Sequence, residues 1–391
     1  MQKILIITIL TTAGLFGFYE KLKPASLSFP PFESYYKEWT KVDSLELAGL
    51  PQSALELVLK IYAKARQDDN SPQIIKAVIH RMKFKMEVNE DALMGNIHDL
   101  EMEIPDSKFP VKPMLQSMLA ESYWQYYLHN RYKFLDRSAV SGPAGEDIST
   151  WDLSTLEKKI TLLYEESLQN SDSLKRSPLE IYDPVLIQKL DSRIFRPTLY
   201  DFIAHRALEF YEHGERGITK PEIEFSITGN GGFLPASSFI NEVFSSADQN
   251  ELKYKALLLY QDLTRFHLTD RELEPLAALD LSRIKFVYEN NASEGKIVWY
   301  RDALKSILDR NGKIEFSAQI AYEYALFIKN DYTPTAEEYK RGFKKNAEAL
   351  KILQAALDKY EGSNWAKNCT RLVREITAPA LTGMIQYSGQ P

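Results

Sequence analysis

The sequence predicts an all-α protein: an antiparallel helix-pair array, a tetratricopeptide-like α-solenoid, with at most a short strand/turn insertion near residues 222–232. Three observations predict it. Apolar residues recur at the helical period over most of the chain. Glycine supplies only 17 of 391 residues, about 4% against a typical ~7%, too few for a turn-rich β-sandwich. Aromatic side chains are plentiful, with 22 Tyr, 19 Phe and 5 Trp, and suit the broad contacts between helices. A composition of 44% apolar and 26% charged residues with mean hydropathy −0.33 excludes a polytopic membrane protein and a disordered chain. The net charge is −6, with signs mixed and no basic block comparable to a nucleic-acid footprint. Cys369 is the one cysteine, so no internal disulfide or structural zinc site can hold the fold. Stability must come from burial.

The elements follow in order. Residues 1–22 read as a signal peptide or N-terminal anchor: Met1-Gln2-Lys3 opens positively and Ile4 to Phe18 is apolar except for three threonines. That run is short of the ~20 residues of a membrane span. A Pro-marked linker, 23–31, precedes an N-terminal helical-repeat region, 32–215. Its first helix, Phe32 to Leu47, stops at Gly49. The second starts near Pro51, with Leu55, Val58, Leu59, Tyr62 and Ala65 as its apolar stripe. Ser71 caps a third, with Pro72 at its first position and Ile75, Val78, Ile79, Met82 and Met86 facing inward. A fourth carries Leu93, Ile97 and Leu100. Short turns join these helices, a spacing close to that of tetratricopeptide repeats.

Pro105 to Pro113 interrupts the pattern, and Met114 to Arg131 restores it. Ser154-Thr155-Leu156-Glu157 reads as a capping box for a helix through Leu168. Asn170 to Arg196 is irregular, and Pro197 starts a helix to about Glu212. An irregular insertion, 216–235, holds the alternation Ile223, Phe225, Ile227 before Gly229-Asn230-Gly231-Gly232. A C-terminal helical-repeat region, 236–378, has boundaries near 248, 270, 294, 314 and 334. Its last pair places Ala347, Leu350, Leu353, Ala356 and Leu357 against Ala366, Leu372 and Ile376. Residues 379–391 read as the start of a further module.

Three stretches carry a family resemblance: Glu121 to Arg137, Asp147 to Leu153, and Arg196 to Leu208. With Trp39 to Leu57, and in this order and spacing, they resemble the N-terminal helical region of the large alpha-2-macroglobulin-like proteins of Bacteroidetes-type bacteria. The resemblance spans roughly residues 35–215 and is diffuse beyond. It implies an exported, periplasmic or envelope-associated parent protein that traps proteases through β-sandwich domains, a bait segment and, in many members, a Cys-Gly-Glu-Gln thioester. Cys369 sits in Asn-Cys-Thr, outside any such motif, so the trapping chemistry belongs to the longer protein.

Asp201, His205, Glu209 and His213 recur every fourth residue, but a helix drifts about 40° per four residues, so at most three could share a metal. A buried hydrogen-bond network with Arg206 or the Trp151-Asp152 loop is the better expectation. Tyr123, Trp124, Tyr126, Tyr127, Tyr132 and Phe134, interleaved with Arg131, Lys133 and Arg137, suit core packing better than a stacking platform for sugars. Gly229 to Gly232 lacks the P-loop ending and reads as a turn. Lys340, Arg341, Lys344, Lys345 and Lys351 read as a solvated face on one helix beginning at Glu337-Glu338. No G-x-S-x-G motif is present.

The sequence therefore predicts no enzyme: no catalytic residue, no cofactor and no metal ligand. It predicts a non-catalytic scaffold of an exported alpha-2-macroglobulin-like protein. Its partners would be proteins, either other domains of the parent or envelope components. Target proteases would be engaged only through the full-length chain, nucleic acid not at all, and a membrane only through the N-terminal segment. The alternatives are an exported glycan-binding helical protein and a tetratricopeptide-like adaptor.

Overall fold

A computed structural model describes residues 35–89, 92–135, 147–183, 185–186, 192–213 and 225–378. The expected leader, linker and C-terminal module start lie outside the described residues, as does the insertion up to residue 224. The described chain forms seventeen α-helices, and among the described residues none is long and apolar enough to cross a membrane. It divides into two compact units, Met1–Phe225 with Ser245–Leu259, and Ser226–Phe244 with Tyr260–Pro391.

In the first unit, α1 (Tyr36–Leu47), α2 (Pro51–Gln67), α3 (Ser71–Val88) and α4 (Ala92–Glu103) each pack on their chain neighbour. The turn after α1 is as expected: Gly49 takes φ +70°, and Leu50 N–H and Gly49 N–H donate to Leu45 O and Glu46 O. This Schellman closure satisfies carbonyls the helix leaves open. Asp69 (φ +50°) closes α2 in the same way. Two details depart from expectation. The cap of α3 is Asn70, whose Oδ1 accepts from Gln73 N–H, one residue before Ser71. The buried face of α2 is Ala54, Val58, Ile61 and Ala65, while Leu59 is 44% exposed. Small alanines let α3 approach closely, so close packing, rather than the number of large side chains, chooses the face. Helix α3 is buried on most sides because α2, α4 and α5 all lean on it, although Met86 is only half-buried.

Helices α5 (Val111–Leu135) and α6 (Leu153–Leu168) form the next pair, and α5 kinks at Asn130. Asp152 caps α6 by accepting from Thr155 N–H at 2.8 Å, so the helix starts ahead of the expected Ser154 box. A carboxylate caps as well as a hydroxyl. Short helices α7 (Ser171–Arg176) and α8 (Ser192–Phe195) fill the irregular stretch, and α9 (Leu199–Glu212) completes this run. Its cap is a reciprocal box between Thr198 and Asp201, so it begins two residues after Pro197.

A buried polar cluster lies between α1 and α3. Trp39 Nε1 donates to Gln73 Oε1 at 2.6 Å, Lys76 Nζ sits 4.1 Å from the Trp39 ring centroid, and His80 packs against Trp39 and Phe84. Burial, then the charges of Lys76 and Lys83, push the His80 imidazole down to about 3. Asp43 is raised by burial, an effect that Lys76 opposes. His80 is therefore neutral in the folded chain and titrates near 6.5 when unfolded. Below 6.5 the unfolded state binds the extra proton, so stability should fall as pH drops from 6.5 toward 3. Denaturant melts at pH 7 and 5 should show this loss, and His80→Phe should flatten it; an unchanged slope would place the titration elsewhere.

The second unit holds α10 (Ala236–Phe239), α12 (Glu274–Asn290), α13 (Lys296–Asn311), α14 (Ser317–Asn330), α15 (Ala336–Lys340), α16 (Lys345–Tyr360) and α17 (Lys367–Thr377); α11 (Leu252–His267) contributes residues to both units. Only four residues after Pro235 are helical before an irregular run to α11, shorter than the expected restart at Ala236. No strand forms among the described residues. Ile227 makes a single parallel bridge to Asn291, and Gly231–Phe233 is a 3-10 turn. Helices α14, α16 and α17 close around Ala318, Ala321, Ala325, Ala349, Leu353, Ala356, Cys369 and Leu372. The expected stripe on α16 is right at Leu353 and Ala356, but Ala349 is buried and Ala347 exposed.

Candidate functional site

The most enclosed polar arrangement of the second unit is built on α12. Asp280 and Arg283, one turn apart, are 0% and 1% exposed. Arg283 Nη2 and Nε donate to Asp280 Oδ1 at 2.8 and 3.3 Å, and Nη1 and Nη2 reach Gly232 O and Leu234 O. The guanidinium also stacks on Phe239, 4.2 Å from the ring centroid. Arg310 on α13 donates to the other Asp280 oxygen at 3.2 Å. Two arginines thus share one carboxylate, leaving one net positive charge on the group.

This arrangement anchors the Gly229–Leu234 loop. Asn291 Nδ2 donates to Gly229 O, and Gly229 N–H donates to Ser293 Oγ. Gly229 has φ +69°, and a Cβ on Gly232 would lie 2.7 Å from Val287, so glycine is needed at both. Between the loop and α13 runs a cleft of about 290 Å³, lined by Asn230, Phe233, Leu234, Pro235, Arg283 and, along α13, Trp299, Asp302, Ala303, Ser306, Ile307 and Arg310. The Trp299 indole rests against Gly295, where a Cβ would fall 2.6 Å from the ring. Gly229–Gly232 is a turn, as the sequence predicts, and its anchoring on α12 lies outside that prediction. The available signal was two opposite charges, Asp280 and Arg283, inside the run Leu279, Leu281, Ile284, Phe286, Val287.

The residues singled out from sequence do structural work. Asp201 accepts from Thr198 N–H and Oγ1–H at 2.9 and 2.7 Å, and His205 Nδ1 meets Asp201 O at 2.8 Å. Arg206 Nε donates to Ser117 Oγ at 2.9 Å across 89 positions of chain. His213 sits edge-on to Trp124, and among the described residues no three His, Cys, Asp or Glu side chains could hold a metal ion. Tyr123, Trp124, Tyr126, Tyr127 and Phe134 are buried, with Tyr132 80% exposed. Trp124 stacks on Tyr127 and meets Phe210 edge-on, while Tyr123 stacks on Trp151. Arg137 lies outside the described residues. The basic residues 340–351 do not share one helix: Gly342, at φ +80°, separates α15 from α16. Arg341, Lys344 and Lys351 instead border a cleft of about 370 Å³ with Phe343 and Glu348. Cys369 is buried, its Sγ 3.1 Å from Ala318 O, and burial pushes the thiol up to about 12.

No family model, curated protein or solved structure matches this chain.

Proposed function

We propose that the chain is a non-catalytic helical scaffold, the N-terminal interaction region of an exported alpha-2-macroglobulin-like protein. The observation that supports this reading is what the residues of the resemblance do. Trp124, Trp151, Asp152, Thr198, Asp201 and Arg206 cap helices, stack in the interior or tie α9 to α5. Those are scaffold duties, and they fit consecutive helix pairs stacked in the tetratricopeptide-like manner, where a broad surface is presented at low conformational cost. Burial of five of the six aromatics of 123–134 favours this over a glycan platform.

A thiolate is the reactive form of cysteine, and a thiol held up to about 12 stays protonated at neutral pH. The folded chain should therefore leave a panel of endoproteases fully active and form no adduct with them. Cys369 should react with a thiol reagent at pH 8 only after unfolding. Stoichiometric inhibition, peptide hydrolysis, or a protease adduct that survives denaturation and disappears in Cys369→Ala would overturn the reading.

A further inference from the structure

We propose that Asn230, on the Gly229–Leu234 loop, is a site of spontaneous deamidation, at which the main-chain nitrogen of Gly231 displaces ammonia from the Asn230 side chain and water opens the resulting ring. The chain holds two Asn-Gly pairs, Asn230-Gly231 and Asn311-Gly312. In both, the attacking nitrogen belongs to a residue with no Cβ to shield it, so the sequence ranks them equally. The structure separates them. Asn311 is 4% exposed, and its Nδ2 donates to Ile307 O at 2.9 Å in the last turn of α13. That bond holds the side chain back along the helix, and burial keeps out the water that the second step consumes. Asn230 is exposed, its side-chain amide has no hydrogen-bond partner among the described residues, and it stands at the edge of the cleft along α13.

The chemistry needs no co-reactant except water. The Gly231 nitrogen bonds to Asn230 Cγ and gives up its proton, the Cγ–Nδ2 bond breaks, and Nδ2 leaves as ammonia, closing a five-membered succinimide. Water then cleaves one of the two bonds from the ring nitrogen. Cleavage at Cγ gives aspartate; cleavage at the main-chain carbonyl carbon gives isoaspartate, whose main chain runs through the former side chain. Ring closure is the step that the fold restrains. Asn230 holds ψ at −1°, and Phe233 N–H donates to its carbonyl at 2.8 Å. Swinging the Gly231 nitrogen onto the side chain rotates that carbonyl and breaks this bond. On either side the loop is held by Asn291 and Ser293 at Gly229 and by Arg283 at Gly232 O and Leu234 O. Reaction therefore proceeds from the opened turn, and the buried Arg283 governs how often the turn opens. The product puts a carboxylate where a neutral amide stood. As isoaspartate it also adds one carbon to the main chain between two anchored glycines, so the anchors can no longer all be kept.

This inference is independent of the scaffold role proposed above. The full chain is held at pH 8 and digested at intervals, and both Asn-Gly peptides are followed by mass spectrometry with fragmentation that separates isoaspartate from aspartate. In guanidinium chloride the two sites should convert at similar rates. In the folded chain Asn230 should convert at least tenfold faster than Asn311, with isoaspartate the larger product. Asn230→Gln should abolish conversion there. Gly231→Ala should slow it at least tenfold by shielding the nitrogen; the new methyl would fall 2.5 Å from Glu242 Oε1, the end of a flexible side chain that can swing aside. Arg283→Met should speed conversion, and Ser293→Ala, which frees Gly229 N–H, reads the same opening if the arginine variant does not fold. Amides of 229–234 should exchange faster in the isoaspartate form than in Asn230→Asp, which carries the charge without the added carbon. Conversion of Asn311 as fast as Asn230 in the folded chain, conversion at neither, aspartate with no isoaspartate, or a rate unchanged by both Arg283→Met and Ser293→Ala would overturn the proposal.

Discussion

Arg283→Met should destabilise the second unit by about 3–5 kcal/mol, the range for breaking a buried ion pair from one side. The cost arises from what is left behind. Asp280 is fully buried, and without Arg283 it keeps only the more exposed Arg310 as counter-charge. Gly232 O and Leu234 O lose their donors as well, so amides of 229–234 should exchange faster than those of α16. Removing both charges together, as Asp280→Leu with Arg283→Met, should recover much of the loss, because an apolar pair of similar volume needs no compensation. Urea titrations of the three chains measure this. A loss below about 1 kcal/mol in the single variant would mean that water already reaches Asp280 and that the pair is not the anchor of the loop.

That arrangement also shows why the fold was more legible in sequence than the site. Helix boundaries near 270, 294, 314 and 334 follow from local chemistry: Gly, Asn and Pro end a period, and the period itself marks an element. All four fall in the observed connections. The arginine–carboxylate group is assembled from α12, α13 and a loop some fifty residues upstream, and no local pattern encodes such a meeting. Alternation around Phe225 suggested a strand, but a strand needs a partner ladder, and Ile227 finds a single bridge at Asn291. The spacing of the basic residues 340–351 allows a single helix face. Gly342 at φ +80° turns the chain there and puts Arg341 and Lys344 at the rim of a cleft. The sequence predicts Ser71 and Ser154 as caps, whereas Asn70 and Asp152 do the capping. Adjacent residues of equal capping ability cannot be ranked without knowing where the backbone turns.

Leu353→Asp should cost about 4 kcal/mol or more, since it removes a side chain with no exposure from the packed alanines of α14 and α16 and leaves a buried carboxylate with no cation beside it. Ile61→Asp should do comparable damage in the first unit, where Ile61 is 1% exposed. Leu59→Asp, two positions earlier on the same helix, should stay within about 0.5–1 kcal/mol, because Leu59 is 44% exposed and surface changes are usually small. Hydrogen exchange on the three chains tests both the rotation of α2 and the array itself. If helices rely mainly on their neighbours, Leu353→Asp should speed exchange in α14, α16 and α17 and spare α1 to α3, and Ile61→Asp should do the reverse. Damage from Leu59→Asp equal to that from Ile61→Asp would restore the face read from the sequence stripe. Uniform loosening throughout the chain by both buried charges would show one indivisible core in place of a stack of pairs.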